Sequence, residues 1–308
     1  MSSGKNGYAV VIGGVNVDIG GRSDAPMVAR DSNPGVVTMS LGGVGRNIAH
    51  NMSLLGVKVR MLTALGDDHY ARIITSSCEQ LGIDLTDAMV IPGARTSTYL
   101  YLDDADGDMA LAVSDMQIYD HVTPEYLESK MEIINGAAVV VADTNIPQET
   151  LEYLALYCTA PLFIDPVSTI KAARIKNILS KIHTLKPNKL EAELLTGIRI
   201  RDAASLQEAV QALLKAGVQR VFLSMGSEGV LAADKDQMLL MPCCPAVMAN
   251  ATGAGDAFTG ALAWSFLEDR NLEESAAYSS AAAAMAVSSP LTINEEISPE
   301  ALKRILEG

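Results

Sequence analysis

Short, continuously apolar runs recur along this chain, and between them lie segments whose apolar residues return every three or four positions. The runs are YAVVIGGV (8–15), KVRMLTAL (58–65), AAVVVAD (137–143), PLFIDP (161–166), KIHTLKP (181–187) and RVFLSMG (220–226). The helical patterns fall at 44–55, 68–81, 147–158, 189–195 and 203–216. A strand that is apolar at nearly every position has no face to give to water. Such strands, separated by amphipathic helices, predict a mostly parallel sheet covered on both faces, an α/β fold. Two regions break the rhythm. Residues 16–40 and 84–115 read as polar, turn-punctuated strands, and TSTYLYLDDADGDMALAVSD (96–115) reads as a hairpin turning at DADGD. They predict a small separate sheet over one end of the core, a lid. With no internal repeat or linker, residues 1–308 read as a single domain carrying that lid.

At 308 residues, 49% of them hydrophobic, the chain buries a core without cross-links. Its net charge of -14 disfavours nucleic acid and anionic membranes as partners. A small anion could still be held locally by backbone N–H groups and a metal. The four cysteines (Cys78, Cys158, Cys243 and Cys244) show no zinc spacing and read as reduced thiols. No segment reaches the roughly 18 apolar residues of a membrane helix, and the first residues carry no evident secretion signal. A cytoplasmic protein is expected. His50, His69, His121 and His183 show no mutual metal spacing.

Ligands of open α/β sheets bind beyond the carboxyl ends of the strands, and the polar motifs fall there. ANATGAGDAFTG (249–260) opens a helix at about residue 255. The first N–H groups of a helix lack intrahelical acceptors, and glycines let an anion touch the backbone. Gly253, Ala254 and Gly255 therefore read as a hole for negative charge. Asp256 in the same turn suits a base that takes a proton from a hydroxyl while the hole stabilises the group being attacked. That is phosphoryl transfer to an alcohol. Taken alone, a helix capped by Thr252 with an acid in its first turn explains the stretch equally well. No Walker loop is present, and GAGDAF lacks the third glycine of a dinucleotide fingerprint.

LGGVGRNIAHNMSLLG (41–56) and ATGAGDAFTGAL (251–262), with KPNKLEAE (186–193), resemble the signature motifs of the ribokinase-like (PfkB) carbohydrate kinases in order and separation. The resemblance runs from about residue 8 to near the C-terminus. It implies a three-layer α/β/α core under a β-sheet lid, ATP as donor, Mg²⁺, and a sugar or nucleoside alcohol as acceptor. Within the family, DSNPG (31–35), SDM (114–116) and HTLKPNKLEAE (183–193) look most like the members acting on pseudouridine, with its 5′-hydroxyl as acceptor.

Carried over position by position, the resemblance implies that Asp256 is the catalytic base and that Gly253, Ala254 and Gly255 form the anion hole. Asn16, Asp18, Gly42, Gly43 and Asn47 are then sugar contacts, the glycines giving the ring room to approach. A tight strand-to-helix turn is the alternative for Gly42–Gly43. Asn188 and Glu191 match the motif that organises Mg²⁺ through its waters; a helix capping box is compatible with that role. Asn188, Ser224, Gly226, Gly229, Thr252, Gly253, Gly255 and Ala283 are the implied ATP contacts, with SSAAAAMAV (279–287) beside adenine. Polar groups near the lid (Asn33, Thr98, Asp115 and Asn145) are the candidates for reading the acceptor's base edge. Two positions depart from the pattern. Asn250 stands where an acid usually opens the second signature in a region that helps hold a monovalent cation, which argues against K⁺. Ala251 replaces a common Thr. A kinase for another sugar or nucleoside, a non-catalytic ligand-binding relative, and a homodimer formed through the lid complete the expectations.

Overall fold

The computed structural model describes residues 7–106, 108–250 and 252–307; Ala251 lies outside them. Among these, nine strands form one sheet. Its spatial order is Met238–Met241, Val230–Ala233, Arg220–Ser224, Thr184–Leu185, Leu162–Asp165, Val139–Asp143, Ala9–Ile12, Val59–Leu62 and Ile83–Asp84. Pairing is parallel from Arg220–Ser224 through to Ile83–Asp84. The last two strands in sequence, Val230–Ala233 and Met238–Met241, add an antiparallel edge that the alternation did not announce. Side-chain alternation sends Val10, Ile12, Val140 and Ala142 into one apolar cluster. Ala9, Val11, Val139 and Val141 go into another on the opposite face. Both faces are buried, so these strands carry apolar residues at every position.

The sheet reverses its direction of growth at its centre. From Ala9–Ile12 the chain proceeds outward to Val59–Leu62 and Ile83–Asp84, then returns to lay Val139–Asp143 on the other side. The carboxyl ends of Ala9–Ile12 and Val139–Asp143 thus diverge into different loops and leave a crevice between them.

A second sheet of four strands has the order Gly35–Gly42, Asn16–Ser23, Thr98–Asp103 and Met109–Asp115. It includes the predicted hairpin, Thr98 facing Asp115. It does not take in the whole of 84–115. Ile83–Asp84 joins the main sheet, and Met89–Ile91 pairs with Ala64–Gly66 in a two-stranded ribbon. Alternation alone does not distinguish these short strands from those of the small sheet.

Candidate active site

The loops at the central crevice are held by one buried acid. Asp143 ends a strand of otherwise apolar residues, and its Oδ2 accepts from the Gly14 N–H at 2.8 Å while Oδ1 accepts from Asn145 N–H at 2.7 Å. It therefore joins the loop after the first strand to the loop after its neighbour. A Cβ at Gly13 would lie 2.2 Å from the same carboxylate, which is why that position has no side chain. Burial pushes the Asp143 pKa up to about 6 against the two backbone donors. The Tyr119 hydroxyl secures the same loop: it accepts from Val15 N–H at 2.7 Å and donates to the Val15 carbonyl.

The small sheet meets this crevice at its base. Asn16 pairs with Gly42, Val17 with Thr98, and Thr98 with Asp115, so these polar residues share one end of the sheet. Asn16 is buried and donates its amide N–H to Asp18. Burial raises the Asp18 pKa despite that bond and the Arg46 guanidinium. The glycines of LGGVG fit the alternative of a tight strand-to-helix turn. A Cβ at Gly42 would lie 2.1 Å from Asp18 Oδ2, and one at Gly43 would lie 2.5 Å from the Gly14 carbonyl oxygen. Protein atoms fill that space. Gly43, at φ 96°, makes the tight turn into helix Val44–Leu54.

Asp256 stands in the first turn of helix Ala254–Leu267. The helix is not capped by Thr252, which is exposed. Gly253 occupies the cap position at φ 86°, and no side chain caps it. The N–H groups of Ala254, Gly255 and Asp256 are therefore left without intrahelical acceptors, the arrangement an anion needs. Asn47 Nδ2 donates to Asp256 Oδ2 at 2.8 Å. Burial and the Asp165 carboxylate push the Asp256 pKa up to about 7, against the Asn47 hydrogen bond and the Lys186 ammonium. Asn47 thus orients the acid, a role the sequence did not suggest.

On the far side of that helix start lies a cavity of about 350 Å³. Ser224, Gly226 and Gly229 line one wall, Ala254 and Gly255 another, and Ser280, Ala283 and Val287 of helix Leu272–Val287 a third. Its apolar wall suits a flat heterocycle, and its polar end abuts the open helix start. Thr252 does not line it. Asn188 forms a backbone bridge with Ser224, which places the helix Lys189–Thr196 beside this wall. The capping box is present: Asn188 Oδ1 accepts from Glu191 N–H at 2.9 Å, and Glu191 Oε2 accepts from Asn188 N–H at 2.8 Å. Glu191 is buried, and its pKa is raised by that burial.

Several of the polar residues singled out in the sequence have protein partners. Asn33 bonds to Val28 N–H, the Val28 carbonyl and the Asp31 carbonyl, and lines a separate cleft on the small sheet. Asn250 accepts from Thr252 N–H and donates to the Pro290 carbonyl. Asp115 lies 3.7 Å from the exposed Arg95 guanidinium. Asn145 Oδ1 accepts from the Lys171 ammonium at 2.5 Å. A lysine has no acceptor, so this contact fixes the Asn145 amide with its NH₂ group turned to Gly14 and the buried Asp143 carboxylate. Unforeseen, too, was a buried set around Lys186, whose Nζ lies 3.1 Å from Asp165 Oδ2. Thr259 donates to the same oxygen at 2.8 Å. A charged residue closing an apolar run, as in PLFID and HTLK, was the available signal.

A parallel sheet with a polar crevice at its switch point, an open helix start carrying an acid, and an adjoining heterocycle-sized cavity define a small-molecule kinase of ribokinase-like architecture. The family model for pfkB family carbohydrate kinases matches residues 6–299, so the chain belongs to that family, ATP-dependent enzymes acting on a sugar or nucleoside alcohol. The chain is 38% identical over 294 residues to a pseudouridine kinase of Escherichia coli (strain K12), covering 94% of each. Among solved structures, a carbohydrate kinase from Agrobacterium tumefaciens superposes with a TM-score of 0.87 at 29% identity, covering 98% of this chain and 97% of that one. Arabidopsis thaliana ribokinase complexed with ribose and ATP gives 0.86 at 22% identity, covering 98% and 99%, a likeness of fold.

Proposed function

We propose that this enzyme transfers the γ-phosphoryl group of ATP to the 5′-hydroxyl of pseudouridine. The observation that carries the chemistry is Asp256, oriented by Asn47 at the open helix start with a pKa near 7. A base with that pKa is half ionised at neutral pH and regains the proton readily. The acceptor lies in the crevice against Asn16, Asp18 and Asn47, its hydroxyl toward Asp256. The triphosphate enters from the cavity, adenine against Ala283 and the γ-phosphoryl at the N–H groups of Ala254–Asp256. The small sheet acts as a lid over the acceptor. Its outer strands expose Val36, Val37, Met39, Leu111 and Val113, an apolar face that supports pairing of two copies through the lid. A cytoplasmic location accords with the four free cysteines. Among the described residues no helix is long and apolar enough to cross a membrane.

The acceptor assignment is supported by the 38% identity to a pseudouridine kinase and by the crevice itself. Asn145 is engaged at both ends of its amide, by Lys171 at Oδ1 and by Asp143 at the NH₂ group. That leaves it a weaker reader of the ring N–H that distinguishes pseudouridine from uridine. Thr98 and Asp115 retain acceptors for that N–H. One unpaired buried acceptor costs about 1–3 kcal/mol, or roughly ten- to hundredfold in kcat/KM. Steady-state kinetics with pseudouridine, uridine and ribose should rank pseudouridine first by that margin. Equal or better use of uridine or ribose would leave a kinase with a different acceptor.

Mg²⁺ is the expected metal. Among the described residues no three His, Cys, Asp or Glu side chains are grouped to hold an ion. Asn188 and Glu191 fit a magnesium that keeps most of its waters and takes its other ligands from phosphate. When bound, it neutralises charge on the phosphate oxygens; Asn188 and Glu191 would hold its waters. Glu191→Gln keeps an oxygen for the capping bond and removes the charge. Its Mg²⁺ titration of activity should shift to higher concentration by about three- to tenfold with acceptor KM little changed, as expected for one lost charge that reaches the cation through its waters. An unchanged titration would leave Glu191 with the capping role alone.

A further inference from the structure

The phosphoryl-transfer region is strongly acidic for a site that must take a polyanion. Asp256 has Asp165 and Asp143 as acidic neighbours, and the Lys186 ammonium acts against them. Lys186 follows the short strand Thr184–Leu185 and is buried. Burial opposes its charge, but Asp165, Glu191 and Asp256 outweigh that and hold its pKa raised. Its partner is itself fixed. Asp165 Oδ2 accepts from Thr259 Oγ1 at 2.8 Å, and Oδ1 accepts from Val167 N–H at 2.9 Å. Thr259 lies one turn beyond Asp256 on the same helix, so the pair is tied to the element that carries the base.

The ammonium also points toward the open helix start. It lines the nucleotide cavity with Ser224, Gly226, Ala254 and Gly255. A Cβ at Gly255 would lie 3.0 Å from Nζ, so the amino group sits close against the backbone there. An ammonium has three donors, and the Asp165 contact takes one. A cation held beside unpaired N–H groups is positioned for charge that grows during reaction.

We propose that Lys186 is a further catalytic residue, whose ammonium contacts the γ-phosphoryl group in transit, and that Asp165 and Thr259 are its positioning residues. The proposal rests on the kinase reading above. In the step, the acceptor oxygen forms the new P–O bond as the bond from γ-phosphorus to the β,γ-bridging oxygen breaks. The electron pair of the broken bond leaves on ADP, and the hydroxyl proton goes to Asp256. Lys186 stays protonated throughout and transfers nothing. Its charge offsets that of the equatorial oxygens, a role complementary to that of the backbone donors.

Lys186→Met, Lys186→Arg and the double variant Asp165→Asn/Lys186→Met test this. The double variant removes both charges, so a folding defect from an unpaired Asp165 is told apart from lost catalysis. Each is assayed for kcat and KM for ATP with pseudouridine and with ribose, for ADP affinity by calorimetry, and for melting temperature. In Lys186→Met and in the double variant, kcat should fall roughly ten- to hundredfold while ADP affinity stays within about twofold, because ADP lacks the group contacted. Lys186→Arg should recover part of kcat. A kcat within twofold of wild type in Lys186→Met would overturn the proposal. So would parallel loss of kcat, ADP affinity and melting temperature in the double variant, the mark of a purely structural lysine. A wild-type enzyme that transfers phosphate to no acceptor would overturn the kinase reading itself, and that outcome is visible before any variant is made.

Discussion

Asp256→Asn is expected to lower turnover by about 10²–10⁴ while raising thermal stability above neutral pH. The first effect follows from removing general-base catalysis with shape preserved. The Asn47 contact to Oδ2 survives through the amide oxygen, and nucleotide binding should be kept. The second follows from the raised pKa. Folding shifts the Asp256 carboxyl from 3.8 to about 7, so the native state binds this proton more tightly than the unfolded chain. Stability from this group is present at low pH and is lost as pH rises from about 4 through about 7. Asparagine carries no such penalty. The melting temperatures of variant and wild type should therefore diverge in the variant's favour as pH rises across that window. In the wild type, kcat/KM for the acceptor should fall about tenfold per unit below pH 7, as the base is protonated in the free enzyme. A variant with near-native turnover would remove Asp256 from the chemistry. A pH profile flat down to pH 5 would place the raised pKa elsewhere.

Gly253→Ala is the second large effect expected, roughly 10²–10³ in kcat, the scale of losing preorganised backbone donors to a developing charge. Gly253 sits at φ 86°, and a Cβ there would fall 2.1 Å from the Thr292 carbonyl oxygen. A backbone oxygen cannot swing aside as a side chain does. The loop must move, and the N–H groups of Ala254, Gly255 and Asp256 move with it. Gly56→Ala supplies the comparison. Gly56 has φ 82° but nothing within 4 Å of its added Cβ, so it tests left-handed strain alone, about 1–2 kcal/mol. That variant should lose stability and keep turnover. If both variants lose only stability, the helix start is not the anion hole.

Some of this architecture could be read from residue order. AAVVVAD and YAVVIGGV are apolar at nearly every position because their strands are covered on both faces, and the helices between them show the matching period. A signal repeated in each strand survives local exceptions. The helix start and its acid were also legible in TGAGDAF; whether a side chain capped it was not, and the cap fell on Gly253 and not Thr252. The limits of the small sheet were less legible. Met89–Ile91 has the same alternating look as the strands beside it, yet pairs with Ala64–Gly66, and pairing partners are chosen by long-range geometry.

The sequence by itself determined the central strands and the main helices between them, that the sheet is mostly parallel, and which acid sits at a helix start, because each depends on neighbours within a few residues. Only the tertiary structure decided what that acid faces. Asn47 is 209 residues from Asp256, Thr259 is 94 from Asp165, and Gly14 is 129 from Asp143. These pairs form where the switch point gathers strand ends remote in the chain. There burial raises the Asp143 and Asp256 pKa values and strengthens the contact of Lys186 with Asp165, and both effects depend on what the fold excludes from water. Nothing local to Asp143, Asp165 or Lys186 records that exclusion.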